Sequence, residues 1–380
     1  MKSVSQSDNV HVVLCEKHNE SDWAAYIEKS AHAVLAHQLE WRFVVEETFG
    51  HQSFYLTAYR QQRIVGVLPL FFVNSIFFGR FLVTSPFLTF GGIISDDEEA
   101  ECALVEKAIQ LTRELNADYL EIRNEIPCGY ISNTKCDYYT LVIDLSNGEE
   151  KIWNSLLHPT ARRNIKKARK AGLEVVESQR YLDDFVEINA RNMRRLGTPA
   201  HNGKFFRNIL KYFPESILLM VRYKEISIGG MLLVKFKDTI LMPWVGSLQE
   251  YFHMRPNNLL YWNAIVRACR DGFRFLDFGR SKWDSGTFRF KQQYGAQPKE
   301  LYYQFFLNKA KKIPDIDPEN NAFKPLISIW RRLPLPVVNS IGPHIICNIF
   351  SNDSPFCFNF LLCFFLAYMI QVIRKIKFDH

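Results

Sequence analysis

Ser53-Phe-Tyr-Leu-Thr-Ala-Tyr-Arg-Gln-Gln-Arg-Ile-Val-Gly66 returns later in the chain as Ser216-Ile-Leu-Leu-Met-Val-Arg-Tyr-Lys-Glu-Ile-Ser-Ile-Gly229. Each copy reads as an apolar strand, a polar turn, and a second strand entered through glycine. Leu68, Leu70, Phe71 and Phe72 extend the first copy, and Met231, Leu232, Leu233 and Val234 the second. A second pair of segments follows the same rule. Ala108-Ile-Gln-Leu-Thr-Arg-Glu-Leu-Asn-Ala-Asp-Tyr-Leu-Glu121 matches Ala264-Ile-Val-Arg-Ala-Cys-Arg-Asp-Gly-Phe-Arg-Phe-Leu-Asp277. Both have apolar residues at helical spacing and lead into a short strand carrying a carboxylate. The two pairs are separated by nearly equal stretches of chain, which is the signature of an internal duplication. The expected fold class is therefore mixed α/β (α+β), in two similar lobes with mixed central sheets. Lobe one takes residues 1–148 and lobe two residues 149–312. Residues 313–380 form a linker, read at residues 315–321, and an apolar tail entered through Trp330-Arg-Arg-Leu-Pro-Leu-Pro336.

A chain of 380 residues has room for two such lobes, at roughly 100–200 residues per domain. Its composition is globular, 47% hydrophobic and 23% charged, and Phe 31 dominates the aromatics. A net charge of +7 permits an anionic partner without demanding one. None of the eight cysteines forms a C-x-x-C pair, and no His/Cys cluster has zinc spacing, so no metal is expected. The cysteines sit mostly in apolar surroundings and read as buried thiols of a reducing compartment. The first twenty residues lack a long apolar run, which predicts no signal peptide and a cytosolic body. Residues 356–373 (FCFNFLLCFFLAYMIQVI) carry no charge and are followed by Arg374, Lys375 and Lys377. That length is borderline for a span of about 20 residues, and a basic outer end opposes the positive-inside tendency. An in-plane anchor at the inner membrane or a re-entrant hairpin, through residues 356–377, is one reading. A terminal helix packed on the body is the other.

Four stretches concentrate chemistry. The helix Thr160-Ala-Arg-Arg-Asn-Ile-Lys-Lys-Ala-Arg-Lys-Ala-Gly172 carries Arg162, Arg163 and Lys166 among six cations, which either meet a polyanion or stay solvated. In Arg191-Asn-Met-Arg-Arg-Leu-Gly-Thr-Pro-Ala-His201, Arg194, Arg195 and His201 could hold an anionic group, although cations also suit a helix C-terminus. Pro243-Trp-Val-Gly-Ser-Leu248, with Trp244, is followed by Pro256-Asn-Asn-Leu-Leu-Tyr-Trp262, where Asn257 or Asn258 could cap the helix or orient a substrate. The last is Asp277-Phe-Gly-Arg-Ser-Lys-Trp-Asp-Ser-Gly-Thr-Phe-Arg-Phe-Lys291, where a strand ends in an acid and a glycine. Arg280, Ser281 and Phe290 belong to it. Loops leaving buried strands are where α/β proteins hold ligands. Lys291, an ammonium beside aromatic bulk, could stabilise a tetrahedral oxyanion. Lobe one continues past Glu121 with no Phe-Lys pair and no such cation cluster. The stretch is therefore an elaboration of one copy, and Lys291 is expected to face the groove between the copies. No G-x-S-x-G elbow, P-loop or H-E-x-x-H is present. The pyrophosphate loop of many acetyltransferases is absent too. Its nearest candidate, Gln292-Gln-Tyr-Gly-Ala-Gln297, breaks the pattern at its last position.

Taken together, several of these stretches resemble FemAB-type proteins, and more narrowly the FemAB-related group found with exosortase/PEP-CTERM loci. They are Phe49-Gly-His51, Gly66-Val-Leu-Pro-Leu70, Pro86-Phe-Leu-Thr-Phe-Gly-Gly92, Arg162-Arg-Asn-Ile-Lys-Lys-Ala168, Asn192-Met-Arg-Arg-Leu-Gly-Thr-Pro199, Pro256-Asn-Asn-Leu-Leu-Tyr-Trp262, Asp277-Phe-Gly-Arg-Ser281 and Gly286-Thr-Phe-Arg-Phe-Lys291. The resemblance covers about residues 30–345 and implies two tandem GNAT-like (N-acetyltransferase-like) domains. It implies transfer of an acyl or aminoacyl group to an amine, with Lys291 stabilising the transition state. In such a transfer Asp277 or another carboxylate is the candidate to take the amine proton. No cofactor is held permanently. The donor is aminoacyl-tRNA or acyl-CoA, and the acceptor an amine-bearing envelope precursor of peptidoglycan or exopolysaccharide. Arg162, Arg163, Lys166 and Arg195 would neutralise donor or acceptor phosphates. The rivals are a non-catalytic scaffold of a polysaccharide-export system and a tRNA binder without transfer.

Overall fold

The computed structural model describes residues 9–75, 79–314 and 324–347. The strands are β1 (Val10–Leu14), β2 (Gln52–Arg60), β3 (Arg63–Ser75), β4 (Gly79–Val83), β5 (Ile94–Ser95), β6 (Tyr119–Asn124), β7 (Asn133–Asp144), β8 (Leu173–Glu177), β9 (Ile217–Tyr223), β10 (Ile226–Phe236), β11 (Thr239–Ser247), β12 (Phe275–Lys282) and β13 (Gln297–Leu307). The helices are α1 (Glu20–Lys29), α2 (Leu39–Phe49), α3 (Glu98–Glu114), α4 (Gly148–Lys151), α5 (Pro159–Lys170), α6 (Leu182–Leu196), α7 (Gly203–Tyr212), α8 (Pro256–Arg270), α9 (Gly286–Gln292), α10 (Lys324–Arg332) and α11 (Leu335–Ile346).

Both repeated segments form the elements expected of them. β2–β3 and β9–β10 are the paired hairpins, and α3–β6 and α8–β12 the helix–strand units. The copies share even a defect. Ala58 pairs with Gly66 and Tyr59 with Ile64, leaving Val65 bulged; Val221 pairs with Gly229 and Arg222 with Ser227, leaving Ile228 bulged. The glycine after each bulge is required by close approach. A Cβ on Gly66 would lie 2.9 Å from Leu104, and one on Gly229 would lie 2.8 Å from Val221.

The lobes do not carry separate sheets. Among the described residues, one mixed sheet runs β1-β2-β3-β4-β6-β13-β7-β12-β11-β10-β9-β8, with β5 beside β3. Read backwards, this order is the same list with the lobes exchanged. The last strand of each lobe has crossed over: β13 pairs with β6 of lobe one, β7 pairs with β12 of lobe two, and β7 and β13 pair with each other. A boundary near residue 148 divides the repeat in sequence but not the sheet.

One face of this sheet is covered by helices of both lobes, α1 and α2 beside α6 and α7, over a shared core. Trp41 is fully buried there. Its ring lies 6.2 Å from Phe205 and 6.5 Å from Trp244, both of lobe two. The opposite face has two separate cores, under α3 in lobe one and under α5 and α8 in lobe two. The segment read as linker and tail is partly structured. α10 and α11 pack on α6 through Trp330, Val338 and Ile345, and Trp330 donates its indole N–H to Thr198 O at 3.1 Å. Residues 315–321 and the apolar stretch 356–377 lie outside the described residues. Among the described ones, no helix is long and apolar enough to cross a membrane. The thiols are less uniformly buried than their neighbours suggested. Cys15 and Cys128 are buried, but Cys136 on β7 is exposed.

Because Trp41 joins the lobes, Trp41→Ala should destabilise both together, by about 3–5 kcal/mol. Urea unfolding should show one transition at a lower midpoint. Hydrogen exchange that rises in lobe one alone would show that the lobes are stabilised independently.

Candidate active site

A parallel strand pair that splays creates a cleft, and the duplicated scaffold has two such pairs. In lobe two, β11 and β12 pair only at Thr239–Phe275, Ile240–Leu276 and Leu241–Asp277. Beyond them the strands part, and Met242, Pro243, Val245 and Gly246 face Phe278, Gly279 and Arg280 across a cavity of about 1370 Å³. The far wall comes from lobe one, through residues 28–36 and 87–90.

In lobe one, β4 and β6 part after Val83–Glu121 in the same way, but the gap is filled. Thr84 and Gly91 donate backbone N–H groups to Glu121 O and Arg123 O at 3.1 Å each, stitching residues 84–91 to β6. Arg123 occupies the opening, buried and paired with Glu121 at 2.8 Å. Glu121 and Asp277 are matching positions of the repeat, so Gly279 stands where lobe one has Arg123. A missing side chain leaves lobe two open.

Gly279 also shapes the site. β12 does not end at its acid and glycine; it continues to Lys282 after a bulge between Asp277 and Arg280. Gly279 sits at φ 73°, a left-handed conformation that favours glycine. Its N–H turns to Asp277 Oδ1 at 2.7 Å, and its C=O turns to Lys291. Asp277 Oδ1 also accepts from Thr140 Oγ1 at 2.5 Å, a residue of the exchanged strand β7. Burial pushes the Asp277 carboxyl above the ordinary carboxylate range; those two hydrogen bonds and the Lys291 charge act in the opposite sense.

α9 divides the cation cluster by helical phase. Ser285 caps it, and Phe288 and Lys291, three residues apart, share the buried face. Arg289 points out and pairs with Asp284 at 2.7 Å. Lys291 is only 6% exposed, and its ammonium donates to Gly279 O and Arg280 O at 2.9 Å each. Ser281 Oγ is buried on the cavity wall with no hydrogen-bond partner among the described residues.

The cavity thus gathers Asp277, Arg280, Ser281, Phe290, Lys291, Asn257 and Arg195. Arg195 lies over Phe252 at 5.0 Å and donates to Asn192 Oδ1 at 3.0 Å; burial and the nearby Arg331 lower its pKa. The remaining candidates lie elsewhere. Arg162 is tied to the backbone carbonyls of Trp153 and Asn154, and Arg163 and Lys166 are exposed on α5, outside the cavity. His201 is buried among Phe49, Phe87 and Phe205, stacked 4.0 Å from Phe205, and does not line the cavity. Trp244 packs between Trp41 and Phe206 in the same core. Neither asparagine caps α8. The N-cap is Arg255 and Pro256 takes the first helical position, leaving Asn257 to accept from Ser247 Oγ and Asn258 to donate to Tyr294 OH. Among the described residues, no group of His, Cys, Asp and Glu is placed to hold a metal. Thr140, which the sequence reading missed, reaches Asp277 only because β7 crosses between lobes.

Residues 158–292 match the family model of the acetyltransferase (GNAT) domain. No curated protein matches the chain significantly. Among solved structures, the chain is similar to FemX, with TM-score 0.62 and 15% identity over 79% of this chain and 98% of that one. It is also similar to a tandem GNAT protein from the clavulanic acid biosynthesis pathway, with TM-score 0.53 and 10% identity over 80% and 100%. L-PGS from Bacillus licheniformis matches with TM-score 0.51 and 10% identity over 87% and 97%. At these identities the likeness concerns the fold. The chain has a tandem GNAT-like α/β fold, and the family-model match falls on the lobe with the open cleft.

The Asp277 carboxyl has a raised folded-state pKa. Its protonated form therefore favours the folded chain at low pH, and that contribution is lost as pH rises through the folded pKa. Asp277→Asn keeps an oxygen for both hydrogen bonds. Its urea midpoint should rise relative to the parent protein as pH climbs above the ordinary carboxylate range, about pH 4. A difference that stays constant with pH would show that the carboxyl is not perturbed by folding.

Proposed function

We propose that the protein is an acyltransferase that moves an acyl or aminoacyl group from an activated donor to an amine. The observation that carries this reading is the meeting of Asp277 and Lys291 at the open end of β11 and β12, in a cavity large enough for two substrates. The amine nitrogen attacks the donor carbonyl and a C–N bond forms. Lys291 Nζ stabilises the oxyanion, and Asp277 takes the amine proton. The tetrahedral centre then collapses, breaking the bond to the leaving thiolate of acyl-CoA or the leaving ribose oxygen of aminoacyl-tRNA.

Electrostatics favours lobe two for an anionic donor. α3 of lobe one begins at Asp97 with Glu98, Glu99 and Glu101 in its first turn, whereas the first turn of α8 holds no acid. A phosphate near α8 meets the favourable end of a helix; near α3 it would meet four carboxylates. Arg195 and Arg280 line the same cavity. The GNAT-domain match supports acyl-CoA as the donor. The FemAB resemblance keeps aminoacyl-tRNA in play and supplies the choice of an envelope or exopolysaccharide precursor as acceptor.

The test is incubation of the purified protein with acyl-CoA and with charged tRNA, each against candidate amines, followed by product mass. Lys291→Met keeps the buried stem and removes the charge. It should lower turnover by about 10²–10³-fold. Near-parental turnover by the folded Lys291→Met protein would remove Lys291 from the mechanism.

A further inference from the structure

Lys291 is held through backbone. Its ammonium rests on Gly279 O and Arg280 O, so its position depends on whatever fixes that bulge. Gly279 is fixed through its backbone N–H, on Asp277 Oδ1 at 2.7 Å. Arg280 is fixed through its side chain. Its guanidinium lies 4.3 Å over the ring of Tyr138, and its Nη1 donates to Tyr303 OH at 3.0 Å. Tyr303 OH in turn donates to Thr89 O at 2.7 Å. The Tyr303 ring is buried beneath Arg123 at 5.0 Å, the same arginine that fills the lobe-one opening. Tyr138 stands on β7 and Tyr303 on β13, the two exchanged strands, while Thr89 and Arg123 belong to lobe one.

We infer that Tyr303 is a positioning residue for Lys291, through which the filled lobe holds the reactive ammonium of the open one. Its hydroxyl ties the Arg280 side chain to the Thr89 carbonyl. The Arg280 guanidinium, gripped between two tyrosines, prevents the bulge from turning, and the two carbonyls keep Lys291 on the cavity wall. The filling of the lobe-one cleft gains a purpose on this account. Arg123 and residues 85–90 supply the fixed surface on which the chain of contacts ends. The catalytic meaning rests on the acyltransferase reading, but the anchorage does not.

Tyr303→Phe in the full chain removes only the hydroxyl and keeps the packing. Lysine accessibility is read by reductive methylation and peptide mass spectrometry, with no substrate required. Lys291 should be methylated about 3- to 10-fold faster in Tyr303→Phe, as expected of a locally loosened group. Lys237 is the internal control. Its ammonium is held by Ile27 O and Ser30 O, and its rate should not change. Turnover should fall about 10- to 100-fold through misplacement, with KM for the donor unchanged. In a Lys291→Met background, Tyr303→Phe should cause no further loss, since both act through one group. Should Tyr303→Phe fail to fold, Arg280→Met breaks the same link and carries the same expectation for Lys291 methylation; because Arg280 also lines the cavity, its KM for an anionic donor should rise as well. Unchanged Lys291 methylation overturns the anchorage, and leaves the acyltransferase reading standing if turnover still depends on Lys291. Faster methylation in a protein whose turnover ignores Lys291→Met supports the anchorage and overturns its catalytic meaning.

Discussion

The exchange of β7 and β13 constrains everything else in this molecule. Every strand must find backbone partners along both edges or lie at the rim of the sheet. Here the partners of β7 are β12 and β13, and those of β13 are β6 and β7. Three ladders therefore cross between the lobes, and separating the lobes would orphan all of them. The shared core around Trp41, Phe205 and Trp244 adds apolar burial to the same join. The two halves behave as one sheet folded from a repeated pattern, with a pseudo-two-fold axis between β7 and β13.

That join also builds the site. Thr140 reaches Asp277 from β7, Tyr138 lies under Arg280 from β7, and Tyr303 meets Arg280 from β13. None of these contacts could exist if each lobe closed its own sheet. Symmetry then breaks at one side chain. Arg123 fills the splay of β4 and β6 and neutralises Glu121, whereas Gly279 leaves the splay of β11 and β12 open and turns its carbonyl toward Lys291. A duplicated fold has in this way given one lobe a cavity and the other a wall.

Much of this was legible from residues alone. The hairpins and the helix–strand units announce themselves by period and by their turn residues, and the contrast between Arg123 and Gly279 is visible once the repeats are aligned. The stretch from Asp277 to Lys291 stands apart because its cations have no counterpart in lobe one. Composition could not say which of those cations turned inward. Arg289 and Lys291 are two residues apart, and helical phase against the core sends one to Asp284 in solvent and the other to the cavity. His201 and Trp244 illustrate the reverse failure. An imidazole and an indole next to polar residues read as ligand groups, yet both face a core that the two lobes build together. The basic helix α5 is equally ambiguous as a sequence, and its place outside the cavity follows from packing on α8.

The duplication, the order of elements within each copy, the glycines that open the second strands and the location of the unusual loop follow from the residues alone. These are local properties, written in the period of apolar residues and in the few positions where only glycine fits. Tertiary structure alone decided the strand exchange, the filled and open clefts, the burial of Lys291 and the partners of Asp277 and Arg280. These depend on contacts between residues more than a hundred positions apart, such as Thr140 with Asp277 and Tyr303 with Thr89. No local pattern specifies them, because a strand's hydrogen-bonding edge carries no record of which strand will lie against it.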